Sequence, residues 1–234
     1  MKLFPIKKIL ILVTILAVPG FLYYMLQDQG KNRYKPLPFF GPKTVAATFK
    51  SVRGTKIPDT NYHQISDFSF LNQQADAVSW NTYAGKIVIM NLFYTQENSA
   101  TTIANNAIKV LRKTYGKNDI LKFVSLSVDP IRDRPEALSV YAGKYGPKTA
   151  QWDLLTGDSS KVYSFINKQL FIDAYQKNDQ GVKRFVYTNL FVLIDTKHRI
   201  RGYYDISTQD GYSKLDDEIK VQIVEELRNN TDGR

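Results

Sequence analysis

The sequence predicts an α/β domain, a mixed sheet with helices on both sides, preceded by an N-terminal transmembrane helix. Three observations predict it. Two nearly continuous apolar runs, Ile87 to Tyr94 and Ile120 to Val128, suit central strands covered on both faces. Segments of helical period alternate with them, as in layered α/β architectures. An uncharged, mostly apolar run from Ile9 to Leu26 follows Lys2, Lys7 and Lys8.

That first run is eighteen residues long, about 27 Å of helix and close to the hydrocarbon thickness of a bilayer. Lysines before it and none immediately after favour a cytoplasmic N-terminus, with everything past Gln27 on the far side. Tyr23 and Tyr24 lie where amphipathic rings settle at headgroups. The expected topology is a single pass through the inner membrane with the domain in the periplasm or another extracytoplasmic space. A cleaved signal peptide ending near Val18 to Gly20 is the rival reading. It would leave Phe21 to Leu26 exposed, whereas Pro19 and Gly20 are tolerated in a spanning helix as a kink.

Residues 1–27 are thus the anchor and 28–64 a tether and lead-in, with Gln27 to Lys43 rich in Gly, Pro and charge. The domain proper runs over 65–234. Within it Asp67 to Leu71 alternates as a half-buried strand does. Ser99 to Tyr115 sets Ile103, Ala107, Val110, Leu111 and Thr114 at helical spacing. Arg134 to Tyr145 opens with Pro135 and Glu136, a good first turn, with Asp133 available as a cap. Trp152 to Leu155 reads as a strand, and Asp158 to Leu170 as a helix capped by Asp158 or Ser159. Phe191 to Asp195 and Ile200 to Asp205 form a pair of strands with a turn at Thr196 to Arg199. Lys214 to Arg228 is the closing helix.

Composition excludes several functions. There is no cysteine among 234 residues, so disulfides, thiolate metal sites and thiol catalysis are ruled out. The formal charge is +10, and half of it lies in the first 35 residues, with six Lys or Arg against one Asp. The modest remainder, without a basic stripe and interleaved aromatics, argues against nucleic acid. No Gly-rich phosphate loop and no Gly-x-Ser-x-Gly elbow is present.

Seven pieces in order carry a family resemblance: Asp67 to Phe70 (DFSF), Tyr83 to Lys86 (YAGK), Phe93 to Thr95 (FYT), Val128 to Pro130 with Arg132 to Pro135 (VDP, RDRP), Trp152 to Gly157 (WDLLTG), Phe191 to Asp195 (FVLID) and Ile200 to Asp205 (IRGYYD). Together they resemble the SCO/SenC family, membrane-anchored thioredoxin-like copper proteins of cytochrome c oxidase assembly. The resemblance implies a thioredoxin-like sheet and a respiratory oxidase subunit or another assembly factor as partner. It also implies copper held by a Cys-x-x-x-Cys pair in the loop after FYT and by one distant histidine. Those three positions are Glu97, Thr101 and Tyr187 here.

A carboxylate, a hydroxyl and a phenol offer no soft donor, so neither copper nor any other cofactor is expected. Asp129 and Pro130 are expected to end a strand in a tight turn, with Arg132, Asp133 and Arg134 exchanging surface or half-buried ion pairs. Glu97 is expected to complement the dipole of the helix behind it. An oxygen-only site of Glu97, Asp129 and Tyr187 would suit Mg²⁺ or Ca²⁺ better than copper. His63 reads as solvated and His198 as a turn residue, too far apart in sequence for metal spacing. The reading is a binding or assembly factor, not an enzyme. Two alternatives stay open: a copper chaperone with substitute ligands, and an enzyme using Glu97 and Asp129 as a carboxylate pair.

Overall fold

The computed structural model describes residues 6–29, 36–52, 54–96, 99–145, 151–179 and 182–231. The chain divides into two units, Met1–Lys35 and Pro36–Arg234. The first holds α1 (Ile6–Gln29), a single helix of 24 residues that continues through Pro19. Its side chains from 11 to 25 are all exposed. Among the described residues no helix is long and apolar enough to cross a membrane, so the span expected over Ile9 to Leu26 is not shown.

The second unit contains β1 (Lys43–Val52), β2 (Thr55–Tyr62), β3 (Phe70–Leu71), β4 (Ala77–Val78), a 3-10 turn at Trp80–Tyr83 and β5 (Ile87–Phe93). It continues with α2 (Ser99–Tyr115), β6 (Leu121–Ser127), α3 (Pro135–Lys144), β7 (Trp152–Leu155) and α4 (Ser159–Lys168). Then follow β8 (Tyr175–Asp179), β9 (Val182–Val186), β10 (Leu190–Ile194), β11 (Ile200–Asp205) and α5 (Gln209–Thr231). Five strands make the central sheet in the order β11-β10-β5-β6-β7. β5, β6 and β7 run parallel, and β10 and β11 return antiparallel. This is the thioredoxin-like α/β arrangement that the resemblance implied.

Strand periodicity sorts the core into two layers. Val88, Met90, Leu92, Val124, Leu126 and Val192 point to one side, against Phe68, Trp80, Phe165 and Ile166. Ile87, Ile89, Phe93, Phe123 and Leu193 point to the other, against Ile108 and Leu111 of α2, Leu138 of α3 and Leu215 of α5. All seven residues of β5 are buried, which is why its run is apolar without alternation. Each such side chain contributes about 1.5–3 kcal/mol on burial.

Several expectations need correction. The span of α2 is as expected, but its buried face is Thr101, Ala104, Asn105, Ala107, Ile108, Leu111 and Tyr115. Ala107 and Leu111 of the expected stripe are buried, but Ile103 and Val110 face solvent at 40% and 51% exposure, and the polar Thr101 and Asn105 are buried in their place. Of the strand expected at Asp67 to Leu71 only Phe70 and Leu71 pair. The hairpins β1–β2 and β8–β9 were not foreseen; their strands are mostly exposed and polar and carry little alternation. His63 is half-buried, its Nε2 3.2 Å from the Gln169 carbonyl and its ring edge-on to Phe171.

The stretch read as a tether is bound to the domain from Pro36 onward. Arg201, 1% exposed, donates from Nη2 to the Leu37 carbonyl at 2.7 Å and from Nε to the Pro38 carbonyl at 3.2 Å. Its guanidinium stacks over Phe39, 4.2 Å from the ring centre. Glu225 of α5 receives Nη2 at 2.9 Å on both oxygens, and Asp195 lies 3.3 Å from Nη1. Asp195 is fully buried and also takes the Arg199 guanidinium at 2.8 Å. Every charge in this cluster has a partner, the condition under which burial is tolerable.

Candidate functional site

Because β5 and β6 are parallel, with Phe93 opposite Ser127, their C-terminal loops emerge at one edge of the sheet. Such an edge is where open α/β sheets place their sites. Asp133 joins the two loops. It is fully buried and accepts from Thr95 N–H at 3.1 Å, from the Thr95 hydroxyl and from the Ser127 hydroxyl at 2.6 Å. Ser127 in turn accepts from Asp129 N–H at 3.0 Å. Val128 N–H donates to the Phe93 carbonyl, and Asp133 N–H to that of Asp129, both at 2.9 Å. Among the described residues Asp133 is therefore neither a cap nor an ion-pair partner. The cap position of α3 is Arg134, without a side-chain bond, and Pro135 starts the helix.

Asp129 is 8% exposed. Burial pushes its carboxyl above the ordinary range and neighbouring Asp133 adds to this, while Arg132, with its guanidinium 3.6 Å away, pulls it partly back. Pro130 is buried between them and Arg132 is exposed. The Tyr163 hydroxyl of α4 donates to the Val128 carbonyl at 2.6 Å, and its phenol is pushed up to about 12 by burial and then by Asp129. These groups make a turn tied down at every point.

Thr101 sits in the first turn of α2, 1% exposed, its hydroxyl 3.1 Å from the Tyr187 hydroxyl. Tyr187 lies between β9 and β10, half-buried, and meets Tyr94 edge-on at 6.1 Å. Tyr94 also packs on Phe185 of β9, 5.5 Å between ring centres. Two positions 86 residues apart in sequence are thus in contact. Glu97 and the adjoining Asn98 lie outside the described residues, and with them the suggested Glu97–Asp129 pair and oxygen-only site. His198 occupies the turn at the far end of β10, with φ +60°, and stacks on Trp80 at 4.3 Å.

A hydroxyl and a phenol bonded to each other are hard, neutral donors. Copper in the soft-ligand manner needs thiolate or imidazole, and the chain has no thiol. Among the described residues no group of three His, Asp or Glu side chains is placed to hold a metal ion. Thr101 and Tyr187 are not donors of that soft kind.

The family model described as SCO1/SenC matches residues 58–220. The chain belongs to the SCO1/SenC family. It is similar to the SCO1 protein homolog of Bacillus subtilis (strain 168), 24% identical over 169 residues, covering 71% of this chain and 86% of that one. Among solved structures it resembles a SCO1/SenC family lipoprotein from Bacillus anthracis str. Ames, with TM-score 0.61, 21% identity, and 69% and 95% of the two chains covered. ScoI of Bradyrhizobium japonicum with copper bound gives TM-score 0.56, 21% identity, and coverage of 64% and 96%. At these identities the structural likeness shows the fold. For a SCO1/SenC member, the residues that the sequence reading left unassigned are Thr95, Ser127 and Tyr163. Thr95 and Tyr163 are hydroxyls whose partners lie 38 and 35 residues away, and Ser127 bonds Asp133 six residues on.

Proposed function

We propose that this SCO1/SenC protein is a membrane-anchored, outward-facing assembly factor linked to cytochrome c oxidase and its copper centre. In this reading it acts by binding partners, without copper, thiol exchange or catalysis at the family loop. The observation that carries the reading is the Thr101–Tyr187 hydrogen bond. Positions matching two of the family's three ligands are together, yet they hold each other instead of a soft ion. The link to the oxidase comes from relatives, one solved member being described as belonging to the Sco family of cytochrome c oxidase assembly proteins.

The anchor reading rests on the sequence within α1. The run from Ile9 to Leu26 is uncharged, with lysines on its N-terminal side. A structural neighbour is described as a lipoprotein, which fits an extracytoplasmic domain.

The test is deletion of the gene followed by re-expression of the intact chain. Oxidase activity per milligram of membrane protein should fall on deletion and return on re-expression. It should return equally with Thr101→Val, which removes the hydroxyl at a ligand position. Unchanged oxidase activity on deletion would contradict the reading.

A further inference from the structure

Where β5 and β6 begin, at the edge opposite Thr101 and Tyr187, three elements bring cations to one cavity of about 680 Å³. Lys86 comes from the turn before β5. Lys109, Arg112 and Lys113 come from the last turns of α2, and Lys122 from β6. Asp119 is the one carboxylate among the described residues that line it.

Part of this charge is already compensated. Lys122 lies 3.1 Å from Asp153, the Lys86 ammonium donates to the Asp119 carbonyl at 2.7 Å, and Arg112 sits over the Trp152 ring at 5.3 Å. Lys109 and Lys113 are exposed and have no ion-pair partner among the described residues. Cations in the last turn of α2 offset the helix dipole, by about 0.3–1 kcal/mol each. That accounts for neither Lys86 nor Lys122, which arrive from other elements, nor for the concave shape. Burial also lowers the pKa of Arg112, so part of the cost of desolvating a cation is met before any ligand arrives.

We propose that this cavity binds a phosphate-bearing polyanion, from either a soluble phosphorylated molecule or an anionic lipid headgroup. Lysines supply point charges and Arg112 a planar fork, the pairing that phosphate oxygens take. The volume lies within the roughly 300–1,000 Å³ of small-molecule sites and exceeds what a lone phosphate fills. The proposal goes beyond the oxidase role and shares no residue with the Asp133 loops, so either can fail alone.

The test uses the full chain in phosphatidylcholine nanodiscs, titrated calorimetrically with inorganic pyrophosphate at low and at physiological salt. Saturable one-to-one binding that weakens with salt is expected. Lys109→Gln with Lys113→Gln should weaken it roughly tenfold or more, and Lys50→Gln with Lys214→Gln should leave it unchanged. In a second arm, hydrogen exchange over residues 109–122 is compared with and without phosphatidylglycerol in the nanodisc. Protection by phosphatidylglycerol identifies a headgroup; protection by pyrophosphate alone identifies a soluble ligand. No saturable heat together with no protection by either probe overturns the proposal, as does binding equal in both double variants.

Discussion

Two aspartates in this chain, Asp133 and Asp195, are fully buried, and they are satisfied in opposite ways. Asp195 faces two guanidiniums and two backbone N–H groups, inside a cluster that ties the segment from Leu37 to Phe39 and helix α5 to the end of the sheet. Asp133 faces hydroxyls and a backbone N–H, with no cation within ion-pair distance among the described residues. The first arrangement closes the fold with paired charge. The second shapes a loop edge with directed hydrogen bonds, fixing where Thr95 and the start of α2 lie. By the family resemblance, this is the loop whose copper-ligand positions are Glu97 and Thr101 here.

The largest effect that could break the contrast is at Arg201. Arg201→Ala leaves Asp195 and Glu225 short of a buried partner and should cost about 3–5 kcal/mol. Urea unfolding of the intact chain checks this, and a loss below about 1 kcal/mol would show that the cluster is not held as described. Asp133→Ala strands one N–H and two hydroxyls and should cost about 1–3 kcal/mol. It should also shift the amide resonances of Thr95 and Thr101, which Arg201→Ala leaves in place. Shifts confined to the α5 side would break the comparison.

Smaller again is Tyr187→Phe. It removes one hydrogen bond at a half-buried site and should cost about 0.5–1.5 kcal/mol. The smallest expected effect is one of pH. The Asp129 carboxyl binds its proton more tightly in the fold than its ordinary value of 3.8 allows. Stability is therefore lost as pH rises through the interval between the unfolded and folded values. Asp129→Asn should unfold at higher urea than the parent at pH 7, with the gap closing as pH falls below about 3.8. An equal gap at both pH values would place the effect elsewhere.

The sequence revealed the central strands and most helices, because burial on both faces leaves apolar runs such as IVIMNLF between polar connections. It did not reveal the two hairpins, since their exposed strands carry no burial pattern. On α2 the expected Ala107 and Leu111 are buried, but Asn105 joins them through its bond to the Tyr141 hydroxyl, a partner 36 residues away. The same holds at the candidate site. The motif around Asp129 and Asp133 marked a turn with ion pairs; Arg132 does pair with Asp129, but Asp133 takes a buried set of uncharged donors. Arg201 stood in a recognised motif, yet its partners Leu37, Asp195 and Glu225 come from three parts of the chain.

The central claim, carried from the proposed function, is that the loop held by Asp133 presents donor atoms that cannot hold a soft ion. Competitive titration of Cu(I) against a chromophoric chelator tests it most directly, on the intact chain and on the variant carrying Glu97→Cys, Thr101→Cys and Tyr187→His. The account predicts no stoichiometric binding by the parent and tight one-to-one binding by the variant. Sub-micromolar stoichiometric binding by the parent would contradict it, as would a folded variant that still takes up no copper.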